Sequence, residues 1–393
     1  MKILIQWAGG FDTPGPSNHL LKSLIEDLIA AGISIHLVQS STKKINEEMP
    51  SDLKNLKGFT FDTLERKDIA KSNFVKRYIE EIHYVIRSVS YWKKQNNIDV
   101  VFIRSSPIAL YGILLAKSIL KKPVLYGVQD MWPGSAVNSR VIKNRFIAGI
   151  FYSLQKIAYK YSDVITVISK DMKTKVLEQG VPEEKICPIV NWFDDRTVHE
   201  VPWEENRFVK KYDLDKDKFY VQYAGTMGYV FDYKMVLNVA ANLKSYKDIE
   251  FHMIGQGSQK DSFINDAKIQ GLDNIKFFPL EPQHMVSDVY SACSVCLIPL
   301  KRGIIGNSVP SKAGLLMACN RAIVNSVDED SDYYRMFNDN EIGISASNND
   351  PEAVVEAILE LYNNKERREL YAKNGQRIWG ELLCKKCKYK EVY

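Results

Sequence analysis

The stretch Ser308–Asn325, S-V-P-S-K-A-G-L-L-M-A-C-N-R-A-I-V-N, has the order of a turn, a helix and a buried strand. Pro310 closes the turn, Ser311 is placed to cap the helix, and Lys312 brings a cation into its first turn. Ala322–Val324 is typical of a short buried strand. Because the first N–H groups of a helix are unpaired and carry a partial positive charge, such a start can seat a diphosphate. The stretch predicts either an anion site at a sheet edge or an ordinary loop–helix–strand unit of an α/β domain.

Strand and helix patterns alternate outward from this stretch along the whole chain. A length of 393 residues is too great for one ordinary core. The regular alternation predicts an α/β fold of two Rossmann-like, doubly wound parallel-sheet domains that face each other across a cleft. The expected strands are Lys2–Trp7, Ser34–Val38, Asp99–Ile103, Val124–Val128, Val164–Ser169, Ile186–Val190, Phe219–Ala224, Ile249–Ile254, Ile275–Phe278, Val295–Pro299 and Ala322–Asn325.

The charged stretch after the sixth strand breaks this rhythm and predicts a domain boundary. We expect a first domain at residues 1–195, a linker at 196–212 and a second domain at 213–375. Residues 376–393 are expected to form a helix or tail that packs back on the first domain.

The composition is that of a globular protein, with 45% hydrophobic and 26% charged residues. No apolar run approaches the roughly 20 residues that span a bilayer. The first strand is cut short by Gly9, so it does not resemble a signal peptide, and we expect a cytoplasmic protein. The six cysteines, including the C-x-x-C pairs at 293/296 and 384/387, are expected to be reduced thiols, because no second ligand pair lies at zinc-finger spacing.

Formal charge is distributed unevenly. Up to Arg196 the chain has 28 Lys and Arg against 20 Asp and Glu, whereas the remainder has 25 against 28. Two stretches, Lys71–Lys94 and Arg140–Lys160, combine basic with aromatic or aliphatic residues. Basic amphipathic helices bind anionic membrane surfaces, although amphipathic core helices share much of this pattern. We therefore expect a peripheral protein on the inner face of the cell membrane, with no nucleic-acid partner.

Glycines follow the first strand of each half. Gly9 and Gly10 follow the first strand, and Gly225 and Gly228 follow Phe219–Ala224. Gly255 and Gly257 follow the next strand of the second half. Ligands of open parallel sheets bind outside the carboxyl ends of strands, where glycine lets the backbone approach them closely. No G-x-G-x-x-G opens a helix at a first strand and no G-x-x-x-x-G-K-[ST] occurs, which weighs against dinucleotide-binding and P-loop folds.

The motif order resembles that of family-4 glycosyltransferases, which have the GT-B fold. The matching motifs are Y-A-G-T-M-G from Tyr223, H-M-I-G-Q-G from His252, N-I-K-F-F-P-L-E-P from Asn274, D-V-Y-S-A-C-S-V-C-L-I-P-L from Asp288, V-P-S-K from Val309, V-Q-D-M-W-P-G-S from Val128 and V-I-T-V-I-S-K from Val164. The D-x-W-P and V-P-S-K elements look most like the branch that acts on amino sugars in bacterial surface or capsular polysaccharides.

The resemblance implies retaining transfer of a sugar from a nucleotide diphosphate donor, expected to be a UDP-sugar, without a metal or other cofactor. The acceptor would be a lipid-linked glycan or a saccharide. Such a reaction needs N–H donors and cations around the leaving diphosphate. The implied donor-binding residues are Gly225, Thr226, Met227, Lys234, Gly255, Gly257, Leu280, Arg302, Ser308, Val309, Pro310, Ser311, Lys312 and Leu315. For Arg302 and Lys312 the plain alternative is surface charge.

On the acceptor side we expect Gly9, Gly10 and Trp132, with Asp130 as a catalytic residue. Asp130 follows the strand Val124–Val128, so its carboxylate would orient an acceptor hydroxyl or accept its proton; the alternative is a helix cap. Many family members have a histidine in this region, and here none of the six histidines occupies that place.

The chain departs from the family at two glutamates that lie eight positions apart in many members. The corresponding residues here are Asn307, assigned a catalytic place through its amide, and Leu315, which cannot hold a ribose hydroxyl through its side chain. Asp328, Glu329 and Asp332 follow the next strand and are possible substitutes, but they also fit a solvated acidic loop.

Two other functions fit parts of the sequence. A UDP-sugar 2-epimerase also has two Rossmann-like domains and a nucleotide-sugar cleft, but it acts without an acceptor. A non-catalytic GT-B partner subunit would explain the missing glutamate pair.

Overall fold

The chain forms two compact units, Met1–Val190 and Asn191–Tyr393. The computed structural model describes residues 1–12, 18–42, 49–69, 73–138, 141–191, 198–307 and 312–383. Each unit contains a parallel sheet with helices connecting successive strands, as the alternating sequence pattern predicts.

The first unit has a seven-stranded sheet in the order β3-β2-β1-β4-β5-β6-β7. Its strands are β1 (Lys2–Trp7), β2 (Ser34–Ser41), β3 (Phe59–Glu65), β4 (Val100–Arg104), β5 (Val124–Val128), β6 (Val164–Val167) and β7 (Ile186–Pro188). Gln6 of β1 lies between Val38 of β2 and Ile103 of β4 in the register. From β1 the strand order runs to one side through β2 to β3, and then to the other side from β4 to β7. This reversal creates a topological switch point between β1 and β4.

The helices of the first unit begin where side chains can cap them. Asn144 accepts hydrogen bonds from the N–H groups of Phe146 and Ile147, and Ser169 accepts one from Met172. The helices are α1 (Asn18–Ala30), α2 (Ser51–Lys54), α3 (Phe74–Trp92), α4 (Ala109–Leu115, followed by a π-helical turn to Leu120), α5 (Gly134–Asn138), α6 (Arg145–Tyr161) and α7 (Lys170–Leu177).

The second unit has a six-stranded sheet in the order β10-β9-β8-β11-β12-β13, with a switch point between β8 and β11. Its strands are β8 (Phe219–Ala224), β9 (Ile249–Ile254), β10 (Ile275–Phe278), β11 (Val295–Pro299), β12 (Ala322–Val327) and β13 (Gly343–Ser347). Its helices are α8 (Arg207–Tyr212), α9 (Tyr233–Asn242), α10 (Lys260–Ile269), α11 (Val286–Ser291), α12 (Lys312–Ala318), α13 (Asp332–Asp339), α14 (Pro351–Asn363) and α15 (Lys365–Ile378, followed by a π-helical turn to Leu383).

Alternate residues of the second sheet enter two separate clusters of buried side chains. Val221 and Phe251 belong to one cluster, whereas Tyr220 and Ile254 belong to the other. Both faces of the sheet are therefore covered, as continuous apolar strands require. All six residues of β8 are buried, which holds the end of this strand and the loop after it in a defined place.

The boundary between the units differs from the expected one. Of the expected linker 196–212, residues 198–212 belong to the second unit, where Phe208 is fully buried and the Asn206 amide donates to the Asp288 carbonyl oxygen at 2.8 Å. A charged residue of this segment forms an ion pair within the second unit, since Arg207 pairs with Asp288. Charge and Pro202 therefore marked a packed segment rather than a linker.

The start of the expected tail also packs in the second unit. Ile378 is buried in its core and Trp379 packs against the same cluster, which contradicts the expectation for this part of 376–393. Residues 384–393, with Cys384 and Cys387, lie outside the described part of the chain. Cys187, Cys293, Cys296 and Cys319 are free thiols.

Candidate functional site

The loops that follow β8 and β11 meet at the switch point of the second sheet. Gly225 comes directly after β8, and the loop from Leu300 to Asn307 follows β11. The two strands are neighbours, but the connections that leave them run to opposite sides, so a crevice opens between the loops. This edge of the sheet contains most of the residues that the sequence assigns to a diphosphate.

The glycine loops after β8 and β9 lie in direct contact. A Cβ atom on Gly255, whose φ is +136°, would lie 2.0 Å from the carbonyl oxygen of Gly225. A Cβ atom on Gly257 would lie 2.4 Å from the carbonyl oxygen of Met227. No other residue type fits at these contacts, because the side chain would overlap a backbone atom. The glycines therefore bring the two loops together at the strand ends.

Two polar side chains, Gln259 and Lys260, donate to carbonyl groups of these loops. Gln259 donates to the carbonyl oxygens of Gly228 and of Phe231, the latter at 3.0 Å, and accepts from Lys301 Nζ at 3.0 Å. Lys260 Nζ donates to the carbonyl oxygen of Gly255 at 2.6 Å. The N–H groups of Gly225 and Met227 also donate to backbone carbonyl oxygens, those of Ile254 and Gln256, so the two loops are held in a defined conformation. The sequence analysis missed Gln259 and Lys260, since nothing in the local pattern distinguishes them from surface residues.

Lys312 lies against the glycine loop that follows β8. Its Nζ is 3.6 Å from the centre of the Tyr223 ring, and a Cβ atom on Gly225 would approach this Nζ to 2.7 Å. Burial lowers the pKa of the Lys312 ammonium to about 7, and no carboxylate in the described part of the chain counteracts it. Burial also raises the pKa of Tyr223, so the ring is neutral and its face attracts the cation. An amine so placed gains its full charge when an anion arrives.

The loop after β11 is held from both ends by side chains. Gly303 donates its N–H to Asp328, at 2.8 Å from Oδ1 and 3.0 Å from Oδ2, and Asn348 donates to Asp328 Oδ1 at 3.2 Å. The amide of Asn307 donates to the Gly303 carbonyl oxygen at 2.9 Å, and Asn307 is buried. Asp328 is therefore a structural residue of this loop, and Asn307 also has a structural contact there.

The other expected donor-binding residues differ in exposure. Met227 is fully buried, and Leu315 packs against the core of the second unit, in agreement with its inability to hold a ribose hydroxyl. Thr226, Lys234, Leu280 and Arg302 are exposed at or near strand ends. Ser308, Val309, Pro310 and Ser311 lie outside the described residues. The structure thus brings together Gly225, Met227, Gly255, Gly257 and Lys312.

The expected acceptor-side residues lie at strand ends of the first unit. A Cβ atom on Gly10 would lie 2.2 Å from the Ser40 carbonyl oxygen, and Gly9 accepts from the Ser40 N–H at 3.0 Å. Asp130 is exposed after β5, and its backbone carbonyl oxygen accepts from Trp132 at 3.1 Å. The Trp132 ring packs edge-on against Phe151 of α6 at 5.4 Å. Asp130 is thus held close to a packed tryptophan at a strand end.

Two parallel-sheet units of this kind, each with glycine loops at its strand ends, form the GT-B fold, and the family matches identify the chain as a glycosyltransferase. Within that class, residues 17–197 match the family described as Glycosyltransferase Family 4, and residues 204–378 match Glycosyl transferases group 1. Together the two matches extend over nearly all of the chain.

The chain is similar to proteins named for sugar transfer. It is 27% identical over 295 residues to the probable glycosyltransferase WbjE of Pseudomonas aeruginosa, covering 74% of this chain and 73% of that protein. It is 27% identical over 157 residues to the putative colanic acid biosynthesis glycosyl transferase WcaI of Escherichia coli, covering 40% and 38%. The Anabaena protein HepE, solved with UDP and glucose, shares the fold with a TM-score of 0.74 at 13% identity, covering 100% of this chain and 98% of that one.

Two further features are absent from the described residues. No helix there is both long and apolar enough to cross a membrane. No group of three or more His, Cys, Asp or Glu side chains there is arranged to hold a metal ion.

Proposed function

We propose that this glycosyltransferase moves a sugar from a UDP-sugar, with retention of anomeric configuration, to a lipid-linked glycan or saccharide acceptor of a surface or capsular polysaccharide. We further propose that the transferred sugar is an amino or N-acetylated sugar, a proposal supported by the D-x-W-P and V-P-S-K motifs. Support for the nucleotide comes from HepE, whose structure contains UDP, and support for the pathway class comes from WcaI.

The observation that carries the proposal is Lys312 Nζ against Gly225 at the switch point. When the bond to the sugar breaks, negative charge grows on the leaving diphosphate. A cation that is already in place, together with backbone N–H groups of the glycine loops, stabilises that charge without reorganising. No metal ion is required in this scheme, because Lys312 supplies the positive charge.

On the acceptor side, we assign Asp130 the role of orienting the acceptor hydroxyl or taking its proton. Its carboxylate is exposed at the carboxyl end of β5, where a ligand can reach it. Asn307 contacts the donor sugar in this proposal through the oxygen of its amide, because its Nδ2 already donates to Gly303.

The proposal is tested by screening a panel of nucleotide sugars by thermal shift and then analysing products with and without a lipid-linked acceptor. A ligand that binds only the folded protein raises its unfolding temperature, and we expect UDP-sugars to do so. Conversion of a UDP-sugar to its epimer without acceptor would instead identify a 2-epimerase. Failure to bind or turn over any nucleotide sugar would identify a non-catalytic partner subunit.

Binding of UDP is expected to take up protons near pH 8. The pKa of Lys312 is about 7 in the free protein, so most of its amine is neutral at pH 8, and a diphosphate raises this pKa. The affinity for UDP should be greatest below pH 7 and fall by up to about tenfold per pH unit above it. Calorimetry at pH 8 in buffers of different ionisation enthalpy measures the uptake, which we expect to approach one proton. If Lys312→Met takes up the same number of protons on binding UDP, the proton uptake belongs to another group.

We also propose that α6 binds an anionic membrane surface. The first half of this helix exposes Phe146, 78% accessible, with Ile147 and Ile150, next to the cations Lys143 and Arg145. Exposed apolar side chains beside cations are typical of an interfacial helix. Phe151 of the same helix is buried against Trp132, so the docking helix also supports the segment that holds Asp130.

The other predicted membrane helix, α3, exposes Val75, Ile79 and Ile86 near Lys76 and Arg87, so membrane binding through it stays a proposal. Its aromatic residues Tyr84 and Trp92 are fully buried, with Tyr84 donating to the Trp7 carbonyl oxygen at 2.8 Å and Trp92 to Gln6 at 3.0 Å. These two aromatic residues of α3 therefore belong to the core of the first unit, whereas Lys76 and Arg87 are exposed. Lys71 and Arg140 lie outside the described residues.

The double variant Phe146→Ser, Ile150→Ser is expected to bind vesicles about tenfold more weakly or worse, because each apolar side chain that enters the interface contributes of order 1 kcal/mol. Co-sedimentation with phosphatidylglycerol-containing vesicles measures this. Ile269→Ser is the matched control, since Ile269 is 76% exposed on α10 of the second unit. An equal loss in both variants, or none in the first, would remove α6 from membrane binding.

A further inference from the structure

An arginine of the first unit lies at the switch point of its sheet and plays no part in the site described above. Arg104 is the last residue of β4, and its guanidinium carbon is 5.3 Å from the centre of the Trp7 ring at the end of β1. The Trp7 ring in turn lies against the Gly9-Gly10 loop that follows β1, because a Cβ atom on Gly9 would approach the ring to 2.8 Å. Arg104 and the Gly9-Gly10 loop therefore contact the same indole ring.

The guanidinium of Arg104 has a buried donor without an acceptor. Its Nη1 is inaccessible to solvent and has no hydrogen-bond partner among the residues that the structure describes. Burial lowers the pKa of Arg104 to about 10, so the group is still charged at neutral pH. An unpaired buried donor on a cation is costly, and proteins normally supply a carboxylate or a carbonyl oxygen.

Another partly buried arginine of the same unit shows what such a partner looks like. Arg66 Nη1 donates to Glu81 Oε1 at 2.9 Å. No carboxylate contributes to the lowered pKa of Arg104, whose only cause is burial. The Arg104 guanidinium therefore has no paired carboxylate in the described part of the chain, because the Asp12 carboxylate, which lies against Gly10, accepts hydrogen bonds from Ser41 and Thr42 instead.

We propose that Arg104 and the Gly9-Gly10 loop bind a phosphate or diphosphate ester, and that this ester is the phosphate group of the acceptor. The guanidinium fork matches two oxygens of a phosphate, and the Gly9-Gly10 loop lies on the same indole ring as the guanidinium. The site lies at the carboxyl ends of β1 and β4, where ligands of open parallel sheets bind. The assignment to the acceptor rests on the proposed function, whereas binding of a phosphate group does not.

The test is calorimetric titration of the full-length protein with inorganic phosphate and pyrophosphate, both free and saturated with UDP. We expect Arg104→Gln to weaken phosphate binding to the UDP-saturated protein about tenfold or more, as loss of a charge-assisted hydrogen bond predicts. Its affinity for UDP should stay within about twofold. Lys121→Asn is the matched control for the loss of one positive charge, because Lys121 is exposed at the amino end of β5, away from the carboxyl ends of the strands. Asparagine is chosen because Lys121 has a positive φ, which asparagine tolerates.

Each outcome decides the proposal. A loss of UDP affinity in Arg104→Gln, with no effect on phosphate binding to the UDP complex, would assign the site to the donor diphosphate and overturn the acceptor assignment. Equal phosphate affinity in wild type, Arg104→Gln and Lys121→Asn would overturn the site altogether. Without phosphate, Arg104→Gln should unfold at the same or a higher temperature, whereas a structural arginine would give a lower one. If no sugar is transferred, the proposed function fails, but the phosphate titration still stands.

Discussion

Lys312→Met is expected to lower kcat/KM by about two to three orders of magnitude. Removing one preorganised group that stabilises developing negative charge typically costs about 3–4 kcal/mol in the transition state. Lys312 fits this description, because it lies against Gly225 and lacks a competing carboxylate in the described part of the chain. Methionine has a similar length and suits the buried position. Steady-state kinetics with a UDP-sugar and a lipid-linked acceptor measure the change.

Lys268→Met is the control for the loss of one positive charge, because Lys268 is exposed on α10 of the same unit. Its kinetics should match those of the wild type. A Lys312→Met variant with unchanged kcat/KM would show that the charge at this position is structural.

Lys312→Met is expected to raise the free energy of unfolding although it lowers activity. The pKa of Lys312 is about 7 when folded and about 10.5 in the unfolded chain. The unfolded state therefore binds more protons between these values, so this residue makes the free energy of unfolding rise with pH from about 7 to 10.5. Lys312→Met removes this slope, and below pH 7 it should be the more stable protein, by an amount on the order of 5 kcal/mol. Denaturant unfolding across this pH range measures the difference.

Gly255→Ala is expected to destabilise the second unit by about 3–5 kcal/mol and to abolish nucleotide binding. A methyl group there would lie 2.0 Å from the Gly225 carbonyl oxygen, at a φ of +136°. Backbone strain and overpacking each cost about 1–3 kcal/mol, and relief of the overlap would move the loop from Lys312. Chemical denaturation and UDP titration measure the two effects.

Gly271→Ala is the control that separates backbone strain from steric overlap of the added methyl group. Gly271 also has positive φ, +63°, but the nearest atom to an added Cβ is the flexible end of Lys244 at 3.7 Å. This variant should lose only about 1 kcal/mol, with UDP binding unchanged. Equal destabilisation in both variants would mean that the contact between the glycine loops adds nothing beyond the backbone conformation.

Much of the fold was predictable because its central strands are buried on both faces. Val124–Val128, Phe219–Ala224, Ile249–Ile254, Ile275–Phe278 and Val295–Pro299 have the bounds expected from their apolar runs. The edge strands β7 and β10 were also expected, whereas the edge strands β3 and β13 were missed. β3 contains Asp62 and Glu65 and β13 is rich in serine, because an edge strand is only partly covered and tolerates polar residues.

The site was predictable to the extent that it depends on local backbone demands. Glycine after a strand indicates a close approach, and the structure places Gly225, Gly255 and Gly257 in contact as that pattern suggests. The functions of Asn307 and Asp328 within their own loop were not predictable. Asp328 reaches Gly303 across 25 residues, and no periodicity encodes a hydrogen bond of that kind.

The sequence by itself determined the two α/β units, their buried strands and the loops that carry the glycines, because hydrophobic periodicity and backbone freedom are local properties. Only the tertiary structure decided which cations are desolvated. Lys312 lies under Gly225, 87 positions earlier in the chain, and Arg104 lies beside Trp7, 97 positions earlier. The tertiary structure also decided that Tyr84 and Trp92 of α3 are buried whereas Phe146 of α6 is exposed. Desolvation depends on neighbours that are distant in sequence, so the charge state and accessibility of a side chain follow from the fold.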